Sequence, residues 1–111
     1  MIRIRTGIDI IEVDRIKDAI EELGNNFLKR IYTDNEINYC NKSNLMKYQH
    51  FAARFAVKEA VFKAISEYIE GRKDILWKDI EVFNFDSGKP YINVEKLLKN
   101  IKKDADNIKI K

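Results

Sequence analysis

One cysteine, one proline, one histidine and four glycines are all that the 111 residues hold of those types, and each shortage excludes something. A lone cysteine, Cys40, leaves no internal disulfide and no cysteine-rich zinc site, and it fits a reducing compartment. With so little proline and glycine there is no Pro/Gly/Ser-rich stretch at which to divide the chain, so residues 1–111 are expected to form one domain around one core. Long apolar runs are also missing. Nothing approaches the roughly 18 consecutive apolar residues of a membrane span, and the opening M-I-R-I-R-T-G-I-D-I moves straight into alternation instead of a signal peptide's apolar stretch. A cytoplasmic protein with no membrane role is expected. Positive charge is in modest excess, with a net charge of +3 and no block of five like charges. That falls short of the basic stripe of a nucleic-acid binder and suits an acidic protein or a phosphorylated small molecule as partner. A domain this small buries a limited share of its surface, which leaves self-association open.

What is present is hydrophobic periodicity of two kinds. Over residues 2–10, I-R-I-R-T-G-I-D-I sets Ile2, Ile4, Ile8 and Ile10 on one face and Arg3, Arg5, Gly7 and Asp9 on the other, the mark of a half-buried strand. Residues 12–24 then place Val13, Ile16, Ala19, Ile20 and Leu23 at helical spacing, with Gly24 as the stop. Thr33 stands three residues before Glu36 in the order of a capping box, which predicts a short helix over 34–41. After the polar loop K-S-N-L-M-K, residues 48–69 have no glycine or proline and read as one long central helix. E-G-R-K-D breaks it, and residues 79–94 alternate around Ser-Gly-Lys-Pro, predicting a two-stranded hairpin. A helix over 95–104 buries Leu97, Leu98 and Ile101, and the closing N-I-K-I-K reads as a strand. Strands and helices do not alternate regularly, so the predicted class is α+β.

The central helix carries the first candidate for chemistry. At about 100° per residue, Phe51, Ala52, Phe55, Ala56, Phe62 and Lys63 cluster around the direction of Glu59, so this carboxylate lies in an apolar stripe. The remaining apolar positions predict a helix covered on most sides. An unpaired buried carboxylate is costly, by several kcal/mol in order of magnitude, so a cation or hydrogen bonds must compensate it. Lys63 one turn along could do so as an ordinary i,i+4 pair, and a metal ion could as well. Arg54 and Lys58 project elsewhere, and for Lys58 a solvated edge is expected. Asp9 could be simply solvated on the polar face of its strand, but its neighbours are apolar and Gly7, on the same face, leaves clearance for a ligand. Should strand and helix pack together, Asp9 and Glu59 could converge on one hard divalent cation, with water and phosphate oxygens completing its shell.

Four segments carry a family resemblance. G-I-D-I-I-E-V-D-R-I at 7–16 resembles the N-terminal G-x-D motif of holo-[acyl-carrier-protein] synthases, members of the 4′-phosphopantetheinyl transferase family. A-R-F-A-V-K-E-A-V-F-K-A at 53–64 is similar to their R-F-A-x-K-E-A-x-x-K-A signature. R-I-Y-T-D-N-E-I at 30–37 and G-K-P-Y-I at 88–92 resemble the segments between and after. The resemblance implies the family fold, an antiparallel sheet packed on the long central helix. It implies transfer of 4′-phosphopantetheine from coenzyme A to a serine of an acyl carrier protein, releasing adenosine 3′,5′-bisphosphate, in fatty acid biosynthesis. Mg²⁺ would be held by Asp9 and Glu59, with Lys63 pointing an ammonium at the phosphates. Glu59 would also position or deprotonate the serine, directly or through a water. Arg15 would face the acidic helix of the carrier protein, or be merely solvated; Arg54, Gly88, Lys89 and Pro90 would contact coenzyme A, the last three being first of all a turn signal. A homotrimer with active sites between subunits is implied too. His50 and Trp77 are assigned to structure.

The chain also departs from the family. Where a glycine-bearing loop usually follows the central helix, this chain continues K-A-I-S-E-Y-I-E-G, and the family's S-x-S-H segment and final strand are not found before Lys111. The rival expectation is therefore a truncated, catalytically silent module that still binds an acidic carrier protein.

Overall fold

Ile16, Ile20, Leu28 and Ile31 close over Tyr32, Cys40, Phe51 and Ala52 to form the core. The structure is a computed structural model and describes residues 10–72 and 74–109. Its elements in chain order are α1 (Ile10–Leu23), α2 (Asn25–Ile31), α3 (Asp34–Asn41), α4 (Lys47–Ala64) and α5 (Ser66–Ile69), then a 3₁₀ turn at Trp77–Asp79, β1 (Glu81–Asn84), β2 (Pro90–Asn93) and α6 (Glu95–Lys109). The described part is thus mostly helical with one antiparallel hairpin, which meets the α+β expectation at that level.

Most predicted elements are present, and the differences have local causes. The strand expected over 2–10, Asp9 included, lies outside the described residues except for its last member. Ile10 belongs to α1, because Ile10, Val13, Ile16 and Ile20 also recur at helical spacing. Asn25–Ile31, which the sequence reading passed over, is a helix that buries Leu28 and Ile31. Gly24 separates it from α1 with φ +59°, a conformation that glycine adopts without steric cost, while its N–H still donates to the Ile20 carbonyl at 2.8 Å. At the far end the helix expected over 95–104 runs on to Lys109, so residues 107–109 of the supposed strand are helical. No glycine or proline stands there to stop it.

The central helix is shorter than expected. It ends at Ala64, Ile65 leaves helical geometry at φ −112° and ψ 17°, and the four residues of α5 follow as a separate turn. Nor is it covered all round. Phe51, Ala52, Arg54, Val57 and Lys58 are buried, but Ala60, Lys63 and Ala64 are exposed.

Aromatic packing fixes the helices to each other. Tyr32 is wholly buried, meets Phe51 edge to face at 4.8 Å, and donates its hydroxyl to the Phe51 carbonyl at 2.8 Å. Burial pushes that phenol well above its ordinary range. The hairpin pairs Glu81 with Asn93, Val82 with Ile92, Phe83 with Tyr91 and Asn84 with Pro90. The 3₁₀ turn is tied to α6 through Asp79, whose carboxylate accepts from the Leu76 N–H at 2.9 Å and the Asn100 side chain at 3.1 Å.

Candidate active site

Thr33 begins α3 as the sequence predicts: its hydroxyl accepts from the Glu36 N–H at 3.2 Å, and its own N–H donates to Glu36 Oε1 at 2.9 Å. Glu36 does more than cap. Its second oxygen, Oε2, accepts from the Val82 N–H at 2.9 Å, and Oε1 also lies 2.9 Å from the Lys58 ammonium. One carboxylate therefore joins α3, α4 and β1, and neither it nor Lys58 is exposed at all.

The solvated edge expected for Lys58 is corrected here. Lys58 follows Phe51 by two helical turns and so points inward with it. Its three ammonium protons are all used: besides Glu36, it donates to the Trp77 carbonyl at 3.1 Å and the Ile80 carbonyl at 2.5 Å. Burial pulls the Lys58 ammonium below its ordinary range, and the adjacent Glu36 carboxylate works against that. The alignment of Lys58 with Phe51 was the available sequence signal; its partner, 22 residues away, carried none.

Arg54 is 4% exposed and engaged through its terminal nitrogens, while among the described residues its buried Nε meets no partner. It donates to the His50 carbonyl at 3.2 Å and to Asn84 Oδ1, and its guanidinium lies 4.4 Å from the Tyr39 ring centroid. His50 meets the same Tyr39 ring edge to face at 5.4 Å, in keeping with its structural assignment. Asn84, which the sequence reading did not single out, donates its amide to the Gly88 carbonyl at 3.1 Å. Gly88 has φ +90° in an exposed turn, Lys89 beside it is exposed, and Pro90 opens β2. Arg54 and the Gly88–Lys89–Pro90 turn are thus brought together; Arg15 is not part of that grouping. It projects from α1 with its side chain 71% exposed, beside Glu12 at 3.0 Å.

Glu59 is half-buried on α4, and among the described residues no hydrogen-bond or ion-pair partner meets its carboxylate. The i,i+4 pair with Lys63 does not form, and Lys63 is exposed. One flank of Glu59 is aromatic. Trp77 stacks on Phe55 at 5.1 Å and meets Phe62 edge to face at 4.9 Å, and these two phenylalanines stand one turn either side of Glu59. The Trp77 backbone is in turn held by Lys58, so the buried ion pair supports this wall.

Among the described residues no three His, Cys, Asp or Glu side chains gather where a metal ion could be held. A cage supplied wholly by protein is therefore not found among the described residues. A half-buried carboxylate without a partner suits the other kind of site, in which Mg²⁺ takes one or two carboxylates and fills its shell with water and substrate oxygens. Glu59 fits as one such ligand; Asp9, the other expected, lies outside the described residues. No described helix is long and apolar enough to cross a membrane.

Comparison with known proteins shows the family. The family model described as the 4′-phosphopantetheinyl transferase superfamily matches residues 5–109. A holo-[acyl-carrier-protein] synthase of Ruminiclostridium cellulolyticum is 49% identical over 88 residues, covering 79% of this chain and 64% of its own length. One of Halothermothrix orenii is 47% identical over 90 residues, covering 80% and 68%. A third, of Thermodesulfovibrio yellowstonii, is 41% identical over 95 residues, covering 86% and 80%. The chain thus spans about two thirds of the first two relatives' length, 64% and 68%. The match reaches across the helices, the buried ion pair and the hairpin alike, and the chain belongs to the 4′-phosphopantetheinyl transferase superfamily.

Proposed function

We propose that this chain is a holo-[acyl-carrier-protein] synthase, transferring 4′-phosphopantetheine from coenzyme A to a serine of apo-acyl-carrier protein and releasing adenosine 3′,5′-bisphosphate, in fatty acid biosynthesis in the cytoplasm. The observation that carries the proposal is Glu59: a half-buried carboxylate with no partner among the described residues, inside the segment most like the family signature. Relatives that bear this name at 41–49% identity support the same reading.

In the reaction the serine oxygen attacks the β-phosphorus of coenzyme A. The bond from that phosphorus to the bridging oxygen breaks, and adenosine 3′,5′-bisphosphate leaves with the electron pair. Asp9 and Glu59 would hold Mg²⁺, which when bound supplies positive charge to the phosphoryl oxygens. Lys63, on the same helix as Glu59, brings an ammonium to the phosphates. Glu59 also positions the serine hydroxyl or takes its proton, directly or through a water. Phe55 and Phe62, one turn either side of Glu59, are both packed on Trp77. Gly88, Lys89 and Pro90, with Arg54 behind them, form the coenzyme A side, and Arg15 meets the acidic face of the carrier protein. The finer fold belongs to the same proposal: an antiparallel sheet packed on α4, assembled as a homotrimer with sites between subunits.

The test is Mg²⁺-dependent labelling of apo-acyl-carrier protein by coenzyme A, followed by mass spectrometry. Labelling is expected from the unaltered chain and lost in Asp9→Ala and Glu59→Ala while far-UV circular dichroism is unchanged. Coenzyme A binding without transfer, or transfer indifferent to both substitutions, would sink the proposal.

A further inference from the structure

Arg54 does not present its charge to solvent. Buried to 4% exposure, it is anchored by the His50 carbonyl, the Tyr39 ring and Asn84 Oδ1, which fix the plane and direction of the guanidinium. A guanidinium can only donate, so the Asn84 amide must turn its oxygen toward Arg54. The amide NH₂ is thereby aimed the other way, and there it donates to the Gly88 carbonyl at 3.1 Å. Within the turn itself the Phe85 N–H donates to the Lys89 carbonyl at 2.9 Å and the Gly88 N–H to the Phe85 carbonyl at 2.7 Å. Residues 85–89 are all exposed, so these local bonds do not connect the turn to the buried frame. Asn84, the last residue of β1 and half-buried, makes that connection.

We infer that Arg54 and Asn84 are positioning residues for the turn at 85–89: the buried guanidinium sets the Asn84 amide, and the amide holds the Gly88 carbonyl so that Lys89 is presented to coenzyme A in one orientation. This rests on the proposed role of Gly88, Lys89 and Pro90 in coenzyme A binding. Arg54 then serves the nucleotide through the turn, without touching it.

The experiment compares Asn84→Ala, Asn84→Asp and Lys89→Ala in steady-state transfer and in calorimetric titration with coenzyme A. Aspartate keeps an acceptor at the same reach for Arg54 but has no N–H to donate to the Gly88 carbonyl, so it protects the fold while cutting the tie. Both Asn84 variants are expected to raise KM and Kd for coenzyme A about tenfold, as for one lost ordering contact, with kcat and the carrier-protein KM within about twofold. Lys89→Ala is expected to weaken coenzyme A as well. If Lys89→Ala weakens coenzyme A and neither Asn84 variant does, the positioning role is overturned while the turn's role stands. No effect from Lys89→Ala overturns both. A fall in kcat and a rise in both KM values that tracks a loss of thermal stability would make Asn84 merely structural and overturn the inference.

Discussion

The Lys58 ammonium and the Glu36 carboxylate stand 2.9 Å apart with neither side chain reaching solvent. Removing one partner strands the other. Lys58→Met leaves a buried carboxylate and two carbonyls, those of Trp77 and Ile80, without their donor, and should cost about 3–5 kcal/mol in urea unfolding. Glu36→Gln sets an amide donor against other donors and should also destabilise. The double variant should lose clearly less than the sum, because the stranded charge is gone. Additive losses would mean that the two groups do not act as a pair.

Glu59 behaves in the opposite way if its carboxylate is kept for a ligand. Glu59→Gln should leave stability unchanged or raise it by up to about 1 kcal/mol, because no partner among the described residues is lost. Transfer should fall by at least about 100-fold, since even residues that merely support a metal ligand cost ten to a hundredfold when removed. Unfolding and labelling assays on the same preparation check both halves.

Cys40 should be chemically quiet. The thiol is wholly buried, and burial pushes it up to about 12, with the Glu36 carboxylate adding to the effect and Arg54 opposing it. At neutral pH a disulfide reagent should therefore react only as fast as the core opens, and at the rate of an ordinary thiol in denaturant. Rapid reaction with the native chain would contradict the packing around α3.

His50 is the one histidine and gives a clean titration. Burial, and after it the nearby Arg54 charge, lower its folded-state value from 6.5. Below 6.5 the unfolded chain then binds more protons than the folded one. The stability that this group contributes is complete above 6.5 and is lost as pH falls through the lowered folded-state value. The imidazole signal in NMR should titrate below 6.5, and His50→Gln should flatten the acid limb of the stability curve.

Local signals in the sequence were reliable and long-range ones were not. The Thr33–Glu36 cap, the Gly24 stop and the 79–94 hairpin were legible because propensity, spacing and turn chemistry act within a few residues. Lys58 differs from its expected place for the converse reason. A lysine reads as solvated until something charged is known to face it, and Glu36 arrives from another helix. Nothing local shows that the central helix stops before Ile65, because no glycine or proline marks its end. At the site, spacing put Glu59 in an apolar stripe, and the structure adds that Lys63 does not neutralise it. The role of Asn84 depends on a contact across 30 residues and had no sequence signature.

Glu36 serves two masters, and this has a consequence for the order of folding. As a cap it can act as soon as α3 forms, while its carboxylate is still hydrated. Its bonds to Lys58 and Val82 require α4 and β1 to arrive and water to leave. Stripping water from a charge before its counter-charge is in place is uphill, so the three elements must dock together and the barrier should lie at that step. Thr33→Ala should accordingly slow folding, and Lys58→Met, which makes Glu36 shed its water without a counter-charge, should slow it too; a Lys58→Met that only hastens unfolding would place the ion pair after the barrier. The residue that starts a helix locally thus also decides when that helix can be committed to the rest of the molecule.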